Sequence, residues 1–381
     1  MDRLTVIIPL YNQEKYIEQC VRSIMKQHLN DMSILIIDDG STDSSYEICE
    51  RLAHEDECIK IIRQENKGLS CARKTGIENC SSEYVTFVDA DDFILDNAYI
   101  SAYQYIEAGI DMIFYEISRY VDDNNIKREH HILPGGYYDR KSIENIVYSK
   151  LIWNFESNIP GIECSQCVRI VKRDLLLKQY SRIHDGGVYY GEDVAITYPL
   201  YLDIKNMQVV NESYYMHRQR RKEIPIYIKN DNYLDEVHRL YRYLIDSFSE
   251  DNEKWKFRKQ IEYFYIYSVN LCKMKYNDYF YIRNFLFPFD KVEKGHTIVL
   301  YGAGAVGNSY YSQLEKLNYC NNIYWVDKNA ESIADTRVKN VDIIKKIKFD
   351  YIVISIENKN ICNSVKEVLL SYGIENKKII F

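Results

Sequence analysis

The chain has 381 residues, with 49 Lys and Arg against 56 Asp and Glu, a net charge of −7. That length exceeds what one core usually fills, so two or three domains are expected, and the acidic balance gives no electrostatic footprint for nucleic acid. Ten cysteines lie scattered, Cys164 and Cys167 having no second pair to complete a zinc site; with no charged-then-apolar leader and no apolar run of about 18 residues, the expectation is a cytoplasmic protein with reduced thiols and no membrane span.

Leu4 to Pro9 reads as a buried strand. Asn12 is placed to cap a helix over Gln13–Gln27, where Ile17, Val21, Ile24 and Met25 recur at helical spacing. A second strand, Ile34–Ile37, ends in the turn Asp38–Asp43, followed by a helix over Ser44–His54. A third strand is expected at Ile59–Arg63, a helix at Leu69–Asn79, and a strand at Tyr84–Val88 that runs straight into Asp89, Asp91 and Asp92. This alternation predicts an α/β fold, a mostly parallel sheet flanked by helices. Open parallel sheets bind ligands beyond the carboxyl ends of their strands, where Tyr11, Asp39, Asn66-Lys67-Gly68 and Asp91 all fall. Carboxylates at a strand end suit a magnesium or manganese ion shared with substrate phosphates.

Residues 110 to 220 are less regular, with strands expected at Met112–Tyr115, Gln208–Val210 and Ser213–His217. Helices are expected at Arg140–Ser149 and after Glu192-Asp193. Between about 224 and 290, Val237, Leu240, Tyr241, Leu244 and Ile245, then Ile261, Phe264, Tyr265, Ser268 and Leu271, repeat at helical spacing, which reads as a helical connector. A new α/β unit opens near Gly295, with strands at Thr297–Tyr301, Ile323–Val326 and Tyr351–Ser355. Gly302, Gly304 and Gly307 enter its first helix and Asp327 stands twenty residues later, the spacing of a dinucleotide fingerprint. Either this unit holds a nucleotide there or it is a Rossmann-like docking module.

Val6-Ile-Ile-Pro-Leu-Tyr-Asn12, Asp38-Asp-Gly-Ser-Thr-Asp43, Asn66-Lys-Gly-Leu-Ser-Cys-Ala-Arg73, Val88-Asp-Ala-Asp-Asp92 and Gly191-Glu-Asp193 together resemble, in order and spacing, the inverting family 2 glycosyltransferases. The resemblance spans about residues 3 to 220 and implies the nucleotide-diphospho-sugar transferase (GT-A-like) fold. It also implies transfer of a sugar from a nucleotide-sugar, usually a uridine one, to an acceptor hydroxyl with inversion.

Uracil offers an N3–H that a carboxylate accepts well, so Asp39, at the matching family position, is the base-reading candidate, with Asp38 the lesser choice. Pro9 and Tyr11 would line the nucleoside pocket. Glu14 would reach the ribose or serve as a first-turn helix acid. Gly68 would let backbone approach the nucleotide, and Arg73 would pair with the diphosphate through its planar fork of donors. Asp91 would hold the metal, Asp89, beyond Ala90, would face ribose or a metal-bound water, and Asp92 would support the site or cap the next helix. Displacement with inversion needs a base on the acceptor side. The resemblance gives that role to Asp193, its basicity raised by Glu192; the pair can equally be an acidic helix start.

His217 or Arg218 could close over the diphosphate, while the basic run Tyr214–Lys222 could equally be a solvated face or approach an anionic membrane if the acceptor is lipid-linked. By resemblance Trp153 and the loop Asn158–Cys167 belong to the acceptor half, where the ring would stack on a sugar or fill the core. The expected organisation is a catalytic domain over 1–221, a helical connector over 222–292 and a Rossmann-like domain over 293–381, the last offering a surface for homo-oligomers. The expected activity is metal-dependent transfer of a sugar, from a UDP-sugar, to a saccharide or lipid-linked saccharide acceptor in surface-polysaccharide or glycoconjugate synthesis, such as capsule or cell wall. Two alternatives are a non-catalytic nucleotide-sugar-binding regulator or scaffold, and a C-terminal NAD-binding redox or epimerising module.

Overall fold

The computed structural model describes residues 2–183, 190–219, 232–248, 254–271, 285–333 and 335–381. Two compact units emerge, Met1–Tyr265 and Ile266–Phe381.

In the first unit β1 (Leu4–Leu10), β2 (Met32–Asp38), β3 (Ile59–Arg63) and β4 (Tyr84–Phe87) pair in parallel in the order β3-β2-β1-β4, separated in sequence by α1 (Ile17–Met25), α2 (Ser45–Glu55) and α3 (Leu69–Asn79). β1 and β2 are buried along their whole length, as parallel strands covered on both faces must be, which is why they read as continuous apolar runs. Each buried Ile or Leu contributes about 1.5–3 kcal/mol. α3 lies hard against β1: a Cβ at Gly76 would stand 2.5 Å from Ile7 Cγ2. The same face of α3 buries Ala72, Arg73 and Ile77.

The sheet continues through elements of mixed direction. After β5 (Phe93–Ile94) and α4 (Ile100–Glu107) come β6 (Met112–Asp122), β7 (Asn125–Glu129) and β8 (Gly136–Asp139). A helical stretch over residues 140–150 and the short hairpin β9 (Trp153–Asn154) with β10 (Ile159–Pro160) lead to β11 (Arg169–Lys172), α5 (Arg173–Arg182), α6 (Glu192–Asp203) and β12 (Asn206–Arg218). β11 joins the halves, running antiparallel to both β4 and β6; no strand was expected there. The two strands expected at Gln208–Val210 and Ser213–His217 are one, β12, whose pairing with β6 shifts register between Val210 and Tyr215.

The expectation that Asn12 caps a helix from Gln13 is corrected. α1 begins at Ile17, and Asn12 takes a positive φ of 51° so that its Oδ1 accepts the Thr42 amide at 2.8 Å. An Asn tolerates that conformation because its short polar side chain bonds locally.

Of the expected connector, α7 (Tyr233–Ser247) and α8 (Lys254–Leu271) are seen, while 223–231, 249–253 and 272–284, like Arg220, Arg221 and Lys222 of the basic run, lie outside the described residues. Gln260 of α8 is buried; its Oε1 accepts the amides of Ile152 and Trp153 at 2.9 and 3.2 Å and its Nε2 donates to Tyr148 O at 2.7 Å. Trp153 is itself fully buried against Tyr263, so its ring fills the core. No helix among the described residues is long and apolar enough to cross a membrane.

The second unit holds β13 (Thr297–Tyr301), α9 (Ala305–Lys316), β14 (Asn322–Asp327), β15 (Lys339–Asn340), β16 (Tyr351–Ile354), α10 (Lys359–Ser371) and β17 (Ile379–Ile380). The strands are parallel in the order β15-β14-β13-β16-β17. The direction of winding thus reverses between β13 and β16, the arrangement of a doubly wound sheet. Leu300, Leu314, Trp325 and Val353 pack one face; Val299, Val326, Ile352 and Leu369 pack the other.

Candidate active site

The carboxyl ends of β1 and β2 carry two loops zipped together. The Asn12 amide donates to Ser41 Oγ at 3.1 Å, the Gln13 amide to Ser45 Oγ at 2.8 Å and the Glu14 amide to Asp43 Oδ2 at 3.1 Å, while Glu14 Oε2 accepts the Ser44 amide at 3.1 Å. Glu14 therefore caps the start of α2 and is not in the first turn of α1. Pro9 is buried beneath this rim and Tyr11 stands 47% exposed on it, its ring open to solvent.

Asp39 is buried. Its Oδ1 accepts Gln64 Nε2 at 2.7 Å and the Lys67 amide at 2.9 Å, and its Oδ2 accepts the Gly68 amide at 2.7 Å. Gly68, at φ +88°, turns the chain into α3. The expected base reader thus also holds the Asn66–Gly68 loop. Asp38 is turned away from the rim: its Oδ1 accepts the Ser41 amide and Arg63 Nε lies 3.0 Å from Oδ2.

Arg73 is the main departure from expectation. The guanidinium does not point out toward a diphosphate. Because α3 is pressed onto β1 at Gly76, Arg73 is carried inward, is 2% exposed, and lies over the Phe87 ring at 5.3 Å. Nη2 bonds Asp89 Oδ1 at 2.8 Å; Nη1 bonds both Glu192 Oε1 and Asp193 Oδ1 at 2.9 Å. One buried cation thereby ties the end of β4 to the first turn of α6, meeting the rule that buried charge must be paired. Burial pushes the Glu192 carboxyl up to about 7, with the Asp193 charge adding to the rise and Arg73 opposing it. Asp193 is more open, 37% exposed, and accepts a second bond from Gln166 Nε2 at 3.1 Å, also on Oδ1.

Beside this cluster, Asp91 is half-buried and Ala90 buried. Asp92 caps no helix: buried, its Oδ2 accepts Tyr215 OH at 2.6 Å and faces His217 Nδ1 at 3.2 Å, while Oδ1 accepts the Arg218 amide at 2.7 Å. The hydrogen bond to Asp92 raises the His217 pKa. Arg218 Nε donates to Asp91 O at 2.8 Å and its guanidinium lies 4.8 Å over Tyr16. The Asp89 amide donates to the Tyr215 hydroxyl at 3.2 Å. The end of β12 therefore clamps the Asp89–Asp92 turn from behind. Sequence reasoning missed Gln166 and Tyr215, which carry no charge to draw attention. The inward turn of Arg73 was visible in principle, since it shares the apolar stripe Ala72, Gly76, Ile77.

In the second unit the glycine loop sits at the winding reversal. Gly302, at φ +112°, is held by its carbonyl, which accepts Trp325 Nε1 at 2.9 Å and Ser355 Oγ at 2.8 Å. Gly304 precedes α9, and a Cβ on Gly307 would come 2.0 Å from the Gly302 oxygen. Asp327, expected to meet a ribose, bonds its own loop: Oδ2 accepts the Ala303 amide and Oδ1 the Asn329 amide, each at 2.8 Å.

Residues 5–178 match the family model described as glycosyl transferase family 2. Glycosyltransferase GlyA of Streptococcus pneumoniae is 31% identical over 234 residues, 58% of this chain and 31% of GlyA. Glycosyltransferase GlyG of the same organism is 27% identical over 232 residues, 58% of this chain and 72% of GlyG. The chain thus spans about a third of one of these relatives and about three-quarters of the other. Among solved structures, S. aureus TarS 1-349 in complex with UDP-GlcNAc superposes with a TM-score of 0.53 at 19% identity, covering 68% of this chain and 70% of that one. This likeness shows the fold, a GT-A-like central sheet flanked by helices.

Proposed function

We propose that the chain, whose residues 5–178 match the glycosyl transferase family 2 model, is an inverting, metal-dependent transferase that moves a sugar from a UDP-sugar to an acceptor hydroxyl in surface-polysaccharide or glycoconjugate synthesis. The observation that carries this reading is the Arg73 bridge, which holds Asp193 and Asp89 on the two terminal nitrogens of one guanidinium, at 2.9 and 2.8 Å. A base and a donor-side carboxylate held that close flank a single reacting centre.

Tyr11 stacks on the uracil, and Asp39, fixed by the Lys67 and Gly68 amides, accepts its N3–H with a remaining lone pair. Asp193 Oδ2, which neither Arg73 nor Gln166 occupies, takes the proton of the attacking hydroxyl as the anomeric bond breaks on the far face. Among the described residues no three His, Cys, Asp or Glu gather as a cage for a metal, which fits an ion held by Asp91, with Asp89 near it, and completed by donor phosphates. Such an ion would offset the charge growing on the departing diphosphate. The uridine donor is supported by the TarS complex with UDP-GlcNAc.

The test is UDP release from UDP-GlcNAc, UDP-glucose and UDP-galactose with Mn2+. Asp193→Asn is expected to lower turnover by about a hundredfold or more while UDP still raises the melting temperature. Turnover within threefold of the parent would remove Asp193 as base, and no turnover of any UDP-sugar by the parent would remove the donor class.

A further inference from the structure

The bond from Gln166 to Asp193 has a second link behind it. Gln166 lies on the 3-10 turn Gln166–Val168 and is 3% exposed, and its Oε1 accepts the hydroxyl of Tyr180 at 2.9 Å. Tyr180, on α5, is 1% exposed, its ring tilted on Phe87 at the end of β4 with centroids 6.3 Å apart. We infer that Gln166, oriented by Tyr180, is a positioning residue for the base: it holds Asp193 by Oδ1 so that Oδ2 faces the acceptor hydroxyl. This rests on the reading of Asp193 as base.

An ionised carboxylate only accepts, so the amide must present its NH2 to Asp193, which leaves Oε1 to accept the Tyr180 hydroxyl. The reverse orientation would set two acceptors face to face at 3.1 Å. Tyr180 thus selects the side of Gln166 that Asp193 meets. Arg73 and Gln166 approach Oδ1 from different elements, and two donors on one oxygen fix where the other oxygen lies. Arg73 supplies charge to three carboxylates; Gln166 serves Asp193 alone. Gln166 and Tyr180 are buried, and Gln166 bonds the half-open Asp193, so their influence on transfer passes through Asp193 and falls on kcat, not on donor affinity.

Tyr180→Phe and Gln166→Leu test this, with UDP release measured on whichever of the three UDP-sugars turns over fastest. Gln166→Leu is expected to lower kcat about tenfold, the worth of one hydrogen bond to a charged group, and Tyr180→Phe by about threefold to tenfold, that of a neutral one, each with the donor KM within twofold. Added to Asp193→Asn, either change is expected to cost nothing further, because residues acting through one group are not additive. Wild-type kcat in both single variants while Asp193→Asn falls by about a hundredfold overturns the positioning role. So does a raised KM, or a full further loss on the Asp193→Asn background. Turnover by Asp193→Asn within threefold of the parent overturns the base assignment instead. Should Gln166→Leu fail to fold, Tyr180→Phe, which removes only a hydroxyl, decides alone.

Discussion

Replacing Glu192 by Gln should stabilise the protein above neutral pH and leave it unchanged in acid. The folded side chain keeps its proton up to about pH 7, against an ordinary carboxyl value of 4.5. Between those values the native state binds more protons than the unfolded chain, so stability falls as pH rises through that window. The cost is absent below the lower value and complete above the upper one. At about 1.36 kcal/mol per pKa unit it reaches about 3 kcal/mol, and with a side chain only 11% exposed little of it is screened by solvent. Glutamine keeps an oxygen for Arg73 Nη1 and loses only the ionisable proton. Urea unfolding of parent and variant at pH 5 and pH 8, followed by near-UV circular dichroism, should therefore give a variant more stable by less than about 1 kcal/mol at the lower pH and by about 3 kcal/mol at the higher. Two curves that stay parallel from pH 5 to pH 8 would show that Glu192 is ionised throughout, and the account of the buried cluster would fail.

Tyr215→Phe removes the donor to Asp92 and the acceptor of the Asp89 amide; it should cost about 1–2 kcal/mol and raise the Mn2+ needed for half-maximal UDP release, and an unchanged Mn2+ requirement would mean that β12 does not set the Asp89–Asp92 turn. Gly307→Ala forces a methyl against the Gly302 carbonyl, a backbone atom that cannot step aside; about 2 kcal/mol should be lost from the second unit, read as earlier exposure of Trp325 in urea, while UDP release persists.

The parallel half of the sheet could be read from the chain because each strand is an apolar run and each helix an apolar stripe, and Ile59–Arg63, Leu69–Asn79 and Thr297–Tyr301 appear with the expected bounds. β11 could not: Arg169–Lys172 is four residues, two of them basic, and it becomes a strand only because β4 and β6 present their edges to it. The acidic residues could be gathered on one rim by topology, but not sorted. Asp39, Asp91, Asp92 and Asp193 look alike in sequence, and what separates them is which backbone amides and side chains reach them. Arg73 shows the same gap in part: the stripe Ala72, Gly76, Ile77 marks its inward face, but not which carboxylates its guanidinium meets there.

The Arg73 bridge also bears on the order in which the protein is made. Its partners lie 16 residues away at Asp89 and 119 and 120 away at Glu192 and Asp193. During synthesis, at some 5–20 residues per second, β1 to β4 and α3 emerge well before α6 does. Through that interval the guanidinium is balanced in charge by Asp89, but Nη1 lacks the acceptors that Glu192 and Asp193 supply, so closing β1 to β4 and α3 around it would bury an N–H group without a partner. The same three bonds thus tie the packing of α3 on the parallel half of the sheet to the later arrival of α6.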